Sequence, residues 1–109
     1  MTARSERVRA LNDNLRTTGQ GGEIVATRGL LALGPETVAK AFAAVQRFAD
    51  FTTDNDPHGE HDFAVLQPCG LRVMFKIDYY NGTLSGHSPD PADPKVTRRV
   101  LTIMLVEEY

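Results

Sequence analysis

The chain predicts an α+β domain: a small antiparallel sheet of about three strands, including a hairpin at 62–80, packed against two or three helices in the order α-β-α-β-β-α. Three observations predict it. Residues 34–51, "GPETVAKAFAAVQRFADF", repeat apolar side chains at helical spacing. Residues 71–80, "LRVMFKIDYY", alternate strictly as a half-buried strand does. The 109 residues contain no internal repeat and no low-complexity stretch, so one domain, 1–109, accounts for the whole length.

Taken in order, residues 5–18 form a first helix, because Val8, Leu11 and Leu15 share one stripe and Gly19 stands just past the end. "GQGG" at 19–22 makes a turn, and "EIVATRGL" at 23–30 reads as a short strand ending near Gly29. The next helix starts at Gly34 and Pro35, since proline at the first helical position sacrifices no hydrogen bond. Glu36 sits at the positive end of its dipole, and Val38, Ala41, Phe42, Val45, Phe48 and Ala49 form its core stripe.

"DFAVLQ" at 62–67 then pairs with "LRVMFKIDYY" across the turn "PCG". In the second strand Leu71, Val73, Phe75, Ile77 and Tyr79 face the core, and Arg72, Met74, Lys76, Asp78 and Tyr80 face away. "NG" at 81–82 is a turn, followed by the irregular connection "SGHSPDPADP". The last segment, from Asp93 to Tyr109, carries helix-start signals in Asp93 and Pro94. Val96, Val100, Ile103 and Met104 share one helical face there, widened by Leu101 and Leu105. "RVLTIML" would also serve as a buried strand, and the start signals favour the helix.

Composition narrows the class of function. At 41% apolar and 24% charged residues the chain is too apolar for a disordered protein. Its single cysteine, Cys69, excludes an intramolecular disulfide and a cysteine-rich zinc frame, so a reducing cytoplasm is the expected compartment. The N-terminus "MTARSERVRALNDNLR" lacks the apolar run of a signal peptide, and "VLTIMLV" is too short to span a bilayer, so no membrane role is expected. A net charge of −2 disfavours direct nucleic-acid binding. No lysine or arginine falls between Arg47 and Arg72, where Asp50, Asp54, Asp56, Glu60 and Asp62 all lie.

The densest chemistry is "TDNDPHGEHDF", residues 53–63. As a calcium loop it fails at Val65, which occupies the position of the closing bidentate glutamate. As a zinc site it has His58 and His61 but only the distant His87 as a further histidine. A restriction-type nuclease needs a carboxylate two residues before Lys76, where Met74 stands. A relaxed catalytic set of His61, Asp62, Lys76 and Asp78 remains, against a plain cross-strand ion pair. Cys69, in a turn, lacks a helix N-terminus or histidine to activate it, and no phosphate-loop, dinucleotide or nucleophile-elbow motif occurs. An architectural reading covers the same residues: Asn55 and Asp56 bond the local backbone, Gly59 takes a left-handed conformation, and His61 or Asp62 bonds backbone where helix and hairpin meet.

"NDPHGEHDF", "FKIDYY" and "TRRVLTIMLVEEY", in this order and spacing, resemble a family of short alphaproteobacterial proteins of unknown function, often carried on plasmids and other mobile elements. The resemblance spans nearly the whole chain and implies no activity, cofactor or metal. It matches Asp56, Glu60, His61, Asp62, Lys76 and Asp78, whereas His58 stands where the family usually has tyrosine. The expectation is a small binding or inhibitor module, possessing no cofactor and no metal, that meets another protein through an acidic surface. Its binding residues would be Asp54, Asp56, Glu60, His61, Asp62, Lys76, Asp78 and Tyr80. The alternative is a metal-dependent hydrolase or nuclease using His61, Asp62, Lys76 and Asp78. The sequence sets no oligomeric state.

Overall fold

The computed structural model describes residues 2–109, except for the side chain of Cys69. Its elements are α1 (Ala3–Thr18), β1 (Glu23–Ala26), α2 (Arg28–Leu31), α3 (Pro35–Arg47), β2 (Phe63–Leu66), β3 (Val73–Tyr80) and β4 (Arg98–Leu105). Short 3-10 turns follow β2 (Pro68–Gly70) and β4 (Val106–Glu108). The α+β class holds.

α1 begins where the Thr2 hydroxyl accepts from the Ser5 amide, and it ends at Gly19, left-handed at φ 78°. α3 begins with Pro35 and Glu36 as the sequence requires, but ends at Arg47 rather than near residue 51. Phe48 and Phe51 leave the helix to pack on the core. The segment 23–30 divides: only Glu23–Ala26 is strand, and Arg28–Leu31 turns into the short α2, burying Leu30.

The final segment is the main correction. Residues 98–105 form a strand, not a helix, and Asp93 caps only a local turn through the Lys95 amide at 2.9 Å. This strand pairs over its full length with β3, antiparallel, from Val73 opposite Leu105 to Tyr80 opposite Arg98. On its other side it pairs in parallel with β1. The sheet is therefore four-stranded and mixed, in the order β1-β4-β3-β2, rather than three-stranded and antiparallel. β4 is thus bonded on both sides over residues 100–103, and its alternate residues Arg99, Leu101, Ile103 and Leu105 are all buried.

The core lies on one face of the sheet. Phe75 and Ile77 of β3, Leu101 and Ile103 of β4 and Ala64 of β2 meet Leu15 of α1 with Ala41 and Val45 of α3. Across the sheet Met74 stands opposite Met104 and both are buried, while Lys76, Asp78 and Tyr80 are half-buried. Among the described residues no helix is long and apolar enough to cross a membrane.

Candidate functional site

The bend over residues 50–61 is built by its own side chains. The Asn55 carboxamide accepts from the Thr52 amide at 2.8 Å and donates to the Asp50 carbonyl at 2.8 Å. The Asp56 amide donates to the Thr52 carbonyl and the Gly59 amide to the Asp56 carbonyl, with Gly59 left-handed at φ 67°. His61 is also left-handed, at φ 56°, a costly conformation for a side-chain-bearing residue. It is held there because its amide donates to the Asp56 carboxylate, at 3.3 and 3.2 Å from the two oxygens.

That twist turns the imidazole toward α1. Nδ1 lies 2.8 Å from Asp13 Oδ1 and donates to it, since a carboxylate can only accept. Nε2 stands 3.6 Å from Asp56 Oδ2, and the ring stacks on Phe51 at 3.8 Å. Asp13 Oδ1 also accepts from Arg16 Nη2 at 3.0 Å. Arg16, 6% exposed, donates through Nη1 to the carbonyls of Val45 and Phe48, filling the open C-terminal end of α3 where the helix dipole favours a cation. Its guanidinium also lies 5.2 Å from the Phe51 ring centre.

A second network adjoins the first. Asn12, fully buried, donates to the Glu60 carbonyl at 3.0 Å and the Tyr79 hydroxyl at 2.8 Å, and accepts from Arg99 Nε at 2.8 Å. The Tyr79 hydroxyl donates to Glu60 Oε1 at 3.2 Å. Arg99, 1% exposed, donates also to the Pro91 carbonyl and lies over the Tyr79 ring. Burial lowers the guanidinium of Arg99 from its ordinary value and pushes the Tyr79 phenol above its own. Burial likewise raises the Asp62 carboxyl, and the nearby charges of Glu60 and Asp56 add to the effect.

The expected site residues therefore separate into groups. Asp56, Glu60, His61 and Asp62 gather at the α1 side of the sheet, whereas Asp54 is exposed on the bend. Lys76 and Asp78 form an ion pair on the opposite face, where Tyr80 also lies. The register sets this division: Phe63 is opposite Lys76, and the Asp62 carbonyl accepts from the Ile77 amide at 2.8 Å. Phe63 and Lys76 share one face, so position 62, bonded to Ile77, falls on the other, and the sheet lies between Asp62 and the Lys76–Asp78 pair. Among the described residues no three His, Cys, Asp or Glu side chains are grouped to hold a metal ion. The side chain of Cys69, and with it any account of its reactivity, lies outside the described residues.

Asn12, Asp13, Arg16, Tyr79 and Arg99 complete the networks, and the sequence alone marks none of them as a site residue, placing Tyr79 only on the core face of its strand. A signal existed for two of them. Asn12 and Arg16 fall on the buried stripe of α1 with Val8 and Leu15, where polar side chains need partners.

Neither a curated protein nor a solved structure matches the chain significantly. A family model does match, from residue 26 to residue 108, taking in the bend, Tyr79 and Arg99 but leaving α1 outside. It describes DUF3768, a protein of unknown function, and the chain belongs to this family.

Proposed function

We propose that the protein is a small binding module that acts by protein contacts, with the bend and the edge strand β2 as its docking edge. One arrangement carries this reading. The stretch 48–71, free of lysine and arginine, forms the bend, β2 and the following turn in unbroken succession. Asp50 and Asp54 are exposed on the bend, and Phe63 and Val65 are exposed on β2.

Among the described residues β2 pairs only with β3, leaving its other side as a sheet edge. Backbone pairing in an antiparallel ladder alternates, and the bond from the Ile77 amide to the Asp62 carbonyl makes 62 a bonded position. Positions 64 and 66 follow it, so the amides and carbonyls of Phe63 and Val65 point to the free edge. An extended segment can add there by backbone hydrogen bonds, and acidic surroundings select a basic one. The occupant we propose is an extended, lysine- or arginine-rich segment of another protein.

On the resemblance of its motifs, the proposed setting is the bacterial cytoplasm, as an accessory of plasmids and mobile elements directed against a restriction or CRISPR defence. The hydrolase alternative through His61, Asp62, Lys76 and Asp78 has no observation in its favour, because the sheet separates the two pairs.

The test is capture from natural-host lysate at low salt by three immobilised proteins: the native chain, Asp50→Lys with Asp54→Lys, and Val65→Pro. Proline at 65 removes an outward amide and leaves the ladder bonds to β3 in place. Circular dichroism verifies that each variant folds. A partner held by the native chain, and lost from both variants, supports the proposal. Capture that survives both changes, or no capture at low salt, overturns it.

A further inference from the structure

The apolar surface of α3 is wider than the part that the sheet covers. Ala41 and Val45 are buried against the sheet. Val38 and Phe42, half-buried at the edge of the core, join Pro35, Ala39, Ala43 and Gln46 of α3 and Leu31 of α2 to line a surface groove of about 600 Å³. No charged side chain lines this groove, and Leu31 is 55% exposed beside it. An apolar strip running the length of a helix, lined by alanines that permit close backbone approach, has the form of a helix-docking surface.

The charges beside it select the occupant. Glu36 lies in the first turn of α3 and Arg47 in the last, and both are exposed. At about 100° per residue they fall on the same flank of the groove, roughly 60 to 80° round from Ala39, beside Lys40, whose ammonium lies 3.7 Å from the Glu36 carboxylate. If a second α3 lies antiparallel in the groove, related by a two-fold axis near Phe42, the two flanks with these charges meet on the same side. Glu36 of each copy then faces Arg47 of the other, twice by symmetry, and the helix dipoles oppose. In a parallel two-fold pair the flanks fall on opposite sides, and Glu36 and Arg47 do not meet. We infer that this face is a two-fold interface through which a second copy of the chain docks, α3 antiparallel to α3. It is separate from the β2 edge and does not depend on the binding role proposed for that edge.

Sedimentation velocity on the full chain over a wide concentration range tests the inference. The native protein forms a dimer that loosens with salt. Glu36→Arg and Arg47→Glu each weaken it about tenfold or more by juxtaposing like charges. The two changes together restore it, which a merely local effect on folding would not do. Ala43→Arg, placing a charge in the groove, abolishes the dimer while circular dichroism stays native. A monomer at every concentration overturns the inference. So does a dimer indifferent to these α3 variants, and so does one lost only in Val65→Pro, which would place the contact on β2.

Discussion

Asn12→Leu tests whether the buried network holds α1 to the sheet. Leucine branches at the same carbon as asparagine and fills nearly the same space, so it removes polar contacts with little cavity. Three hydrogen bonds disappear: to the Glu60 carbonyl at 3.0 Å, to the Tyr79 hydroxyl at 2.8 Å, and from Arg99 Nε at 2.8 Å. The first two are neutral bonds of about 1 kcal/mol each, and a bond from a charged donor contributes about 1.5 to 3 kcal/mol. Asn12 and Arg99 are both essentially sealed from solvent, so water does not replace what is lost. The expected loss is about 3.5 to 5 kcal/mol, a large share of the roughly 5 to 15 kcal/mol that holds a domain folded. Urea unfolding followed by circular dichroism measures it, and heating should show a fall in Tm of more than about 10 °C. Tyr79→Phe in the same background should add less than it costs alone, because the two side chains share a bond. A loss below about 1 kcal/mol with an unchanged urea slope would refute the claim that this network anchors α1.

Gly22→Ala should destabilise by about 1 to 3 kcal/mol, because a Cβ there would stand 2.5 Å from the Arg99 carbonyl oxygen, in backbone that cannot yield; unfolding curves equal to the native ones would contradict this. Asp62 gives a signed pH effect. Its carboxyl is raised above 3.8, so the folded state holds the proton more firmly than the unfolded one, and stability falls as pH rises from that value through the folded one. Asp62→Asn should flatten that portion of the stability–pH curve and gain on the native chain toward neutrality, and a pH-independent difference between the two would count against the assignment. Glu108 has the opposite sign. Bonds from the Thr27 hydroxyl and the Leu105 and Gly29 amides hold its carboxyl below 4.5, so its contribution is complete above that value and is lost as pH falls through the folded one. Glu108→Gln should therefore be less stable than the native chain at neutral pH and converge with it in acid, as denaturation at a series of pH values would reveal.

Elements with local signals were legible in the sequence. α3 carries its start residues and its stripe within one segment, and β3 carries its core residues Val73, Phe75 and Ile77 at alternate positions, although Met74 between them is buried too. The bend was legible as well, since Asn55, Asp56 and Gly59 bond or twist within a few residues of themselves. β4 was not. Its run of apolar residues satisfies a buried helix as well as a strand, and the start signals at Asp93 and Pro94 belong to a turn that closes on itself. The ladders to β3 and β1 decide for the strand, and both are contacts with distant parts of the chain.

The candidate site divides along the same line. The sequence by itself determined the α+β class, the residues of the bend, and a stretch from 48 to 71 without a cation. It exposed Asp56 and His61 as residues with chemistry. Only the tertiary structure decided what they meet: Asp13 and Arg16 from a helix more than forty residues earlier, and Asn12 linking Glu60 to Arg99. It also set Lys76 and Asp78 across the sheet from Asp62, through a pairing register that a shift of one residue would invert. Propensity and capping act over one or two turns of chain and are written locally. Pairing partners and buried hydrogen bonds depend on which distant segments share the core, and that is fixed when the whole chain folds.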